Sequence, residues 1–160
     1  MRKFYVILLI FLSVGCTKTE NGIVFGTPDY EKRDISVSDV DLLILRKADE
    51  LLSSERQWDK SSVRKCSESY RLSLYCALEK ASIEIMGKYV HRQAGLQEVR
   101  FIIDDKYKAR WKVHRLADFN AHSDTAFLDV KLVLKEAIIS VEGKLSNNKA
   151  AQLDAKNATR

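Results

Sequence analysis

The chain has 160 residues, with 27 Lys and Arg against 22 Asp and Glu, 46% hydrophobic residues, one proline and six glycines. That balance fits one well-cored helical domain and excludes a chain that is disordered beyond its ends. The formal net charge of +5 falls to +3 when Arg2 and Lys3 are set aside with a leader, too little to identify an anionic partner from charge alone.

The first element in chain order is that leader. Arg2 and Lys3 precede an unbroken apolar run over residues 4–12, which ends in Ser13, Val14 and Gly15. Basic start, apolar centre and small-residue end are the layout of an export signal, and the run is too short for a helix that must span about 30 Å of hydrocarbon. Leu12-Ser13-Val14-Gly15-Cys16 resembles the lipobox of bacterial lipoproteins, with Ser13 where that family usually carries Leu. The resemblance implies cleavage after Gly15 and acylation of Cys16, which becomes a membrane anchor worth about 0.8 kcal/mol per buried lipid CH₂. It also implies a place in the cell envelope facing the periplasm. With Thr17, not Asp, after the cysteine, an outer membrane is favoured over an inner one where the host has two.

The expected organisation is a signal peptide over 1–15, lipidated Cys16 and a flexible tether over 16–36, a helical domain over 37–145 and a frayed tail over 146–160. Gly22, Gly26 and Pro28 mark the tether.

Within the domain, Ser38 and Asp41 have capping-box spacing, followed by Ile44, Leu45, Ala48, Leu51 and Leu52 at helical intervals. Ser53 and Ser54 end this helix or begin a short turn, and Trp58 is expected at the core edge. A second helix is predicted over 72–86, entered through Ser67 and Ser69 and stopped by Gly87, with Leu74, Leu78, Ala81 and Ile85 as its core stripe. A third is predicted over 94–107, carrying Leu96, Val99, Ile102 and Ile103. The stretch 106–115 is basic, with Tyr107 and Trp111 interleaved. Such a pattern can bind single-stranded nucleic acid or lipid head groups, but on an envelope protein it reads as a solvated face beside two core aromatics, with no nucleic-acid partner. The last helix, over 125–144, carries Phe127, Val130, Leu134, Ala137, Ile138 and Val141, with Thr125 as its N-cap.

Once Cys16 carries lipid, Cys66 and Cys76 are the two remaining thiols, and an exported chain meets an oxidising compartment. In one continuous helix they would stand about 15 Å apart, and a disulfide spans at most about 7 Å, so a bridge requires the chain to turn back between them. The alternative leaves Cys76 as a small core residue and Cys66 as a free thiol. The bridge is the favoured reading.

Chemistry, if any, is expected in the one dense polar cluster. Asp118, Asn120, His122 and Asp129 approximate the spacing of a calcium loop, with Ser123 where the turn glycine belongs. His114, Asp118 and His122 fall at the four-residue spacing that zinc ligands take on a helix. The structural alternative is that Asp118, Asn120 and Asp124 cap the turn into the last helix. Glu79 and Glu84 are five residues apart and face different ways on a helix. No nucleophile elbow, phosphate-cradling glycine loop or zinc-protease motif is present.

Cys76-Ala77-Leu78, followed by Phe119-Asn120, Thr125 and the stretch 130–137, resembles a family of small all-α bacterial domains of uncharacterised function, here with Ala121 where that family tends to carry Asp. The resemblance implies an all-α fold and no activity. The expectation is therefore an all-α bundle of about four helices behind a lipid anchor and tether. It is expected to need no cofactor and to bind another protein without catalysis, as immunity or accessory lipoproteins do. The alternative is a metal-assisted hydrolase built on 114–129.

Overall fold

The computed structural model describes residues 33, 35–66 and 69–158. The signal peptide, Cys16, the tether before residue 33 and Ser67 lie outside the described residues. The domain is all-α. Among the described residues five helices make it: α1 (Asp39–Leu51), α2 (Leu74–Met86), α3 (Ala94–Lys106), α4 (Arg115–Ala121) and α5 (Phe127–Ala158), with 3₁₀ turns at Glu55–Gln57 and Lys108–Arg110. Helix α4 was not anticipated, because seven residues are too few to show a helical period. Among the described residues no helix is long and apolar enough to cross a membrane.

Helix α1 packs on α2, α5 and α3, while α4 closes the end formed by α2 and α3. Ile44, Leu45 and Ala48 of α1 meet Leu74 and Leu78 of α2, Leu96, Val99 and Ile103 of α3, and Val130, Leu134 and Val141 of α5 in one buried cluster. The stripes expected in these helices are therefore the core. Ile85 is the exception: it lies in the last turn of α2 and stays exposed, while Met86 packs inward. Gly87 ends α2 at φ 72°, the left-handed conformation that glycine adopts without steric cost.

Ser38 caps α1, and Asp41 reaches back to the Ser38 N–H at 2.8 Å. The other Asp41 carboxylate oxygen accepts from the Gly95 N–H at 2.6 Å and from Gln93 Nε2 at 2.9 Å, so one buried carboxylate ties the starts of α1 and α3 together. A side chain at residue 95 has no room: its Cβ would stand 3.1 Å from both Cβ and O of Asp41. Asp41 is pinned by these bonds and cannot yield cheaply. Gly95→Ala is expected to lower stability by about 1 kcal/mol, overpacking outweighing the gain in helix propensity. A urea midpoint equal to or above that of the parent would show that Asp41 does yield.

Two helix starts differ from expectation. Ser73, not Ser69, caps α2 by accepting from the Cys76 N–H. Thr125 does not cap α5: its Oγ1 is buried with no hydrogen-bond partner among the described residues, and Asp129 instead accepts from the Ala126 N–H at 3.0 Å. Helix α5 also continues through Ala158, past residue 145 where fraying was expected. Residues 144–158 hold no glycine or proline and several good helix formers, which keep the backbone helical although this end is exposed.

Cys66 and Cys76 form a disulfide with Cα atoms 5.3 Å apart. It closes the loop over 59–73 onto α2. At the loop's base, Asp59 N–H donates to Leu72 O at 3.0 Å and Leu72 N–H to Gln57 O at 2.7 Å.

Candidate binding site

The polar segment over 114–129 does not assemble into one site. Asp118 Oδ2 accepts three backbone N–H groups, from Lys112, Val113 and His114, at 2.7 to 3.0 Å, and so folds the turn that enters α4. Burial alone would raise its pKa, but these donors outweigh it and hold the carboxyl below the ordinary value. Asn120 is fully buried and points the other way, into the loop after Trp58. Its Oδ1 accepts from Trp58 Nε1 at 2.7 Å and from the Leu74 N–H at 3.0 Å, and its Nδ2 donates to Asp59 O and Ser61 O, both at 2.8 Å.

His122 ends α4, and its Nδ1 accepts from the Asp124 N–H. Asp129 starts α5 and pairs with Arg110 at 2.8 Å. Among the described residues no group of three or more His, Cys, Asp and Glu is placed to hold a metal ion. The calcium and zinc spacings thus correspond to caps and braces, as short polar side chains around turns do.

The basic stretch before it is largely committed to ion pairs. Lys106 meets Glu136, Arg110 meets Asp129, and Arg115 Nε lies 2.9 Å from Asp104. Tyr107 and Trp111 pack against the core, as expected of them.

Of the polar residues over 114–129, His114 and Arg115 line a cavity. This cavity of about 240 Å³ lies between the α2–α3 connection, α3 and the turn into α4, and is lined by His91, Gln97, Arg100, Trp111, Val113, His114 and Arg115. Two of the lining residues, His91 and His114, belong to a cluster of four rings in edge-to-face contact. Tyr75 meets Tyr89 at 5.8 Å and His114 at 5.5 Å, and His91 meets Tyr89 at 6.1 Å and His114 at 6.3 Å between centroids. Arg115 lies over the Trp111 ring at 5.1 Å. Arg100 is 5% exposed and donates from Nη1 to His91 O at 3.1 Å. Trp111 Nε1 is buried and has no acceptor among the described residues.

The electrostatics follow from that lining. His91 is held below its ordinary pKa by burial, then by Arg100, His114 and Arg92. For His114, burial followed by Arg64 and Arg100 outweighs the opposing pull of its own backbone and of Asp118. Both imidazoles therefore favour the neutral form more than a free histidine does.

A folded state that refuses protons which the unfolded chain accepts must lose stability as pH falls through about 6.5. Denaturation free energy is accordingly expected to fall between pH 7.5 and 5.5. The fall is expected to be smaller in a His91→Gln, His114→Asn double variant, whose Asn retains an oxygen for the Ala117 N–H. Equal pH slopes in the two proteins would show that these rings do not carry the effect. The lowered carboxyls of Asp118 and Asp129 act only near and below their ordinary value of 3.8, outside that window.

Sequence reasoning found His114 but not His91, Arg100, Trp111 or Arg115 as its companions. The one available signal was Arg100 itself, a charged residue one position from Val99 in a helix whose core stripe was already assigned. No family model matches the chain, and neither a curated protein nor a solved structure matches it.

Proposed function

We propose that this chain is a lipid-anchored protein of the cell envelope, held to the membrane through Cys16, whose helical domain binds another protein without catalysis, in the manner of immunity or accessory lipoproteins. The observation that carries the reading is the Arg100–Trp111 cavity. Its side chains are mostly hydrogen-bond donors, and among the described residues neither a carboxylate nor a hydroxyl or thiol nucleophile lines it. Such a lining suits holding an anionic group of a partner better than transforming one. The Cys66–Cys76 disulfide supports an exported route, because such bridges persist in oxidising compartments. The leader and Cys16 support the anchor.

The test uses the full chain in a bacterial host, with a photo-crosslinking side chain at Val113, which is 90% exposed at the cavity rim. One stoichiometric adduct in the membrane fraction is expected, lost in Arg100→Gln and displaced from the membrane in Cys16→Ser. Adducts that persist in Arg100→Gln would remove the cavity from partner binding. A Cys16→Ser chain that stays membrane-bound would remove the anchor.

A further inference from the structure

We infer that the Cys66–Cys76 disulfide is a thiol-exchange site, which a dithiol reduces inside the folded domain and which closes again on oxidation. Its contacts carry the inference. Cys66 Sγ stands 3.1 Å from Glu79 Oε2 and 3.8 Å from Arg64 O, and Cys76 Sγ stands 3.8 Å from Val63 O. All three oxygens are hydrogen-bond acceptors. A disulfide sulfur has no proton to offer them, so in the oxidised protein these contacts set lone pairs against lone pairs. A thiol carries a proton and donates it, if weakly. Reduction therefore makes Glu79 a partner of Cys66 and Val63 O a partner of Cys76. The contacts around the bond favour the dithiol over the disulfide.

The bond is also within reach. Cys66 and Cys76 line a groove of about 580 Å³ together with Leu72, Glu79 and Glu84, a volume within the roughly 300–1,000 Å³ of small-molecule sites. Cys76 is 6% exposed and Cys66 only partly buried, so Cys66 Sγ is the sulfur that an incoming thiolate meets. One thiolate of the dithiol bonds to Cys66 Sγ as the Cys66–Cys76 bond breaks, and Cys76 leaves with the electron pair and takes up a proton. The second thiol of the dithiol then loses its proton and displaces Cys66 from the mixed disulfide, so the reductant ends as a disulfide itself. Cys66 takes up a proton in turn and donates it to Glu79 in a hydrogen bond. Two electrons and two protons have passed from the dithiol to the bridge, and the 59–73 loop has lost its covalent fastening to α2. In an oxidising compartment the disulfide is the resting form, so exchange requires a dithiol that is kept reduced.

The experiment equilibrates the detergent-solubilised full chain with mixtures of reduced and oxidised dithiothreitol. Alkylation then traps the thiols, and peptide mass spectrometry counts them at Cys66 and Cys76 while circular dichroism reports the helices. The bond is expected to open without loss of helix, at a rate that low urea leaves unchanged, and to close again as the oxidised reagent is raised. Reduction that tracks the unfolded fraction as urea rises would overturn the proposal, because the bond would then open only in the unfolded chain.

Glu79→Ala is expected to shift the equilibrium toward the disulfide by about threefold or more. Glu84→Ala removes a carboxyl from the same groove, one that pairs with Lys47 at 3.3 Å, and is expected to leave the equilibrium within about 1.5-fold of the parent. Equal shifts in the two variants, or none in either, would overturn the part given to the Glu79 contact. Brief treatment with glutathione followed by an acid quench is expected to leave the mixed disulfide on Cys66. An adduct on Cys76 would overturn the order of attack.

Discussion

Asn120→Ala is expected to destabilise the domain by about 3–4 kcal/mol, among the largest losses a single substitution can produce here. The Asn120 carboxamide uses both ends at once, accepting from the Trp58 indole and the Leu74 N–H while donating to the carbonyls of Asp59 and Ser61. Truncation leaves two donors and two acceptors in a region that admits little water. Each unpaired buried group costs roughly 1–3 kcal/mol, less than additively where a water enters the space. For a domain of this size the loss corresponds to a fall in Tm of roughly 8–15 °C.

Asn120→Asp separates this account from simple packing, since its volume is almost unchanged. Its second oxygen would face the Asp59 and Ser61 carbonyls, so the loss at pH 7 is expected to match or exceed that of alanine. That loss is expected to shrink on acidification, as protonation restores a donor. A pH-independent Asn120→Asp loss, or an Asn120→Ala loss below about 1 kcal/mol, would show that the four bonds are not what holds this end of the domain together.

How much of this was legible in the sequence depends on how far each residue's partners lie along the chain. The start of α1 was legible because Ser38 and Asp41 satisfy each other within one turn, and the apolar stripes of α1, α3 and α5 because helical period is a local property. Asn120 was not. Its alternation with Asp118 and His122 made the three look like one cluster, yet its partners are Trp58, Asp59, Ser61 and Leu74, which only the folded chain brings near. Asp41 shows both cases in one side chain: its bond to Ser38 is local, and its bond to Gly95 is not.

The cavity is the extreme of the non-local case. His91 comes from the α2–α3 connection, Arg100 from the middle of α3, and Trp111 and His114 from the turn before α4, and no local rule joins them. The disulfide was legible for a different reason. The expected export of the chain favoured a bridge over a free thiol, and the distance limit then required the chain to turn back between the two cysteines.

Removing that disulfide is the second large effect. Cys66 and Cys76 close a loop of sequence separation 10, and the chain-entropy model gives roughly 2–3 kcal/mol for a closure of this length. Cys66→Ser with Cys76→Ser is therefore expected to lose about that amount while retaining the helical content of the parent, because Cys76 is only one of the many buried residues that join the helices. The loop itself should become the weak point. Arg64, Lys65 and Arg71 are exposed, and trypsin is expected to cut among them well before it cuts the helices.

The loop has a second fastening, since Asn120 holds its first residues at Asp59 and Ser61 while the disulfide holds its middle to α2. Residues that fasten one segment are not independent. Once the bridge is gone, part of what Asn120 anchors is already loose, so Asn120→Ala is expected to cost at least about 0.5–1 kcal/mol less in the Ser-substituted background than in the parent. A double-mutant cycle by urea denaturation measures the difference. Additivity within about 0.3 kcal/mol would mean that the base of the loop and its middle are held separately, and that the 59–73 segment does not open as one unit.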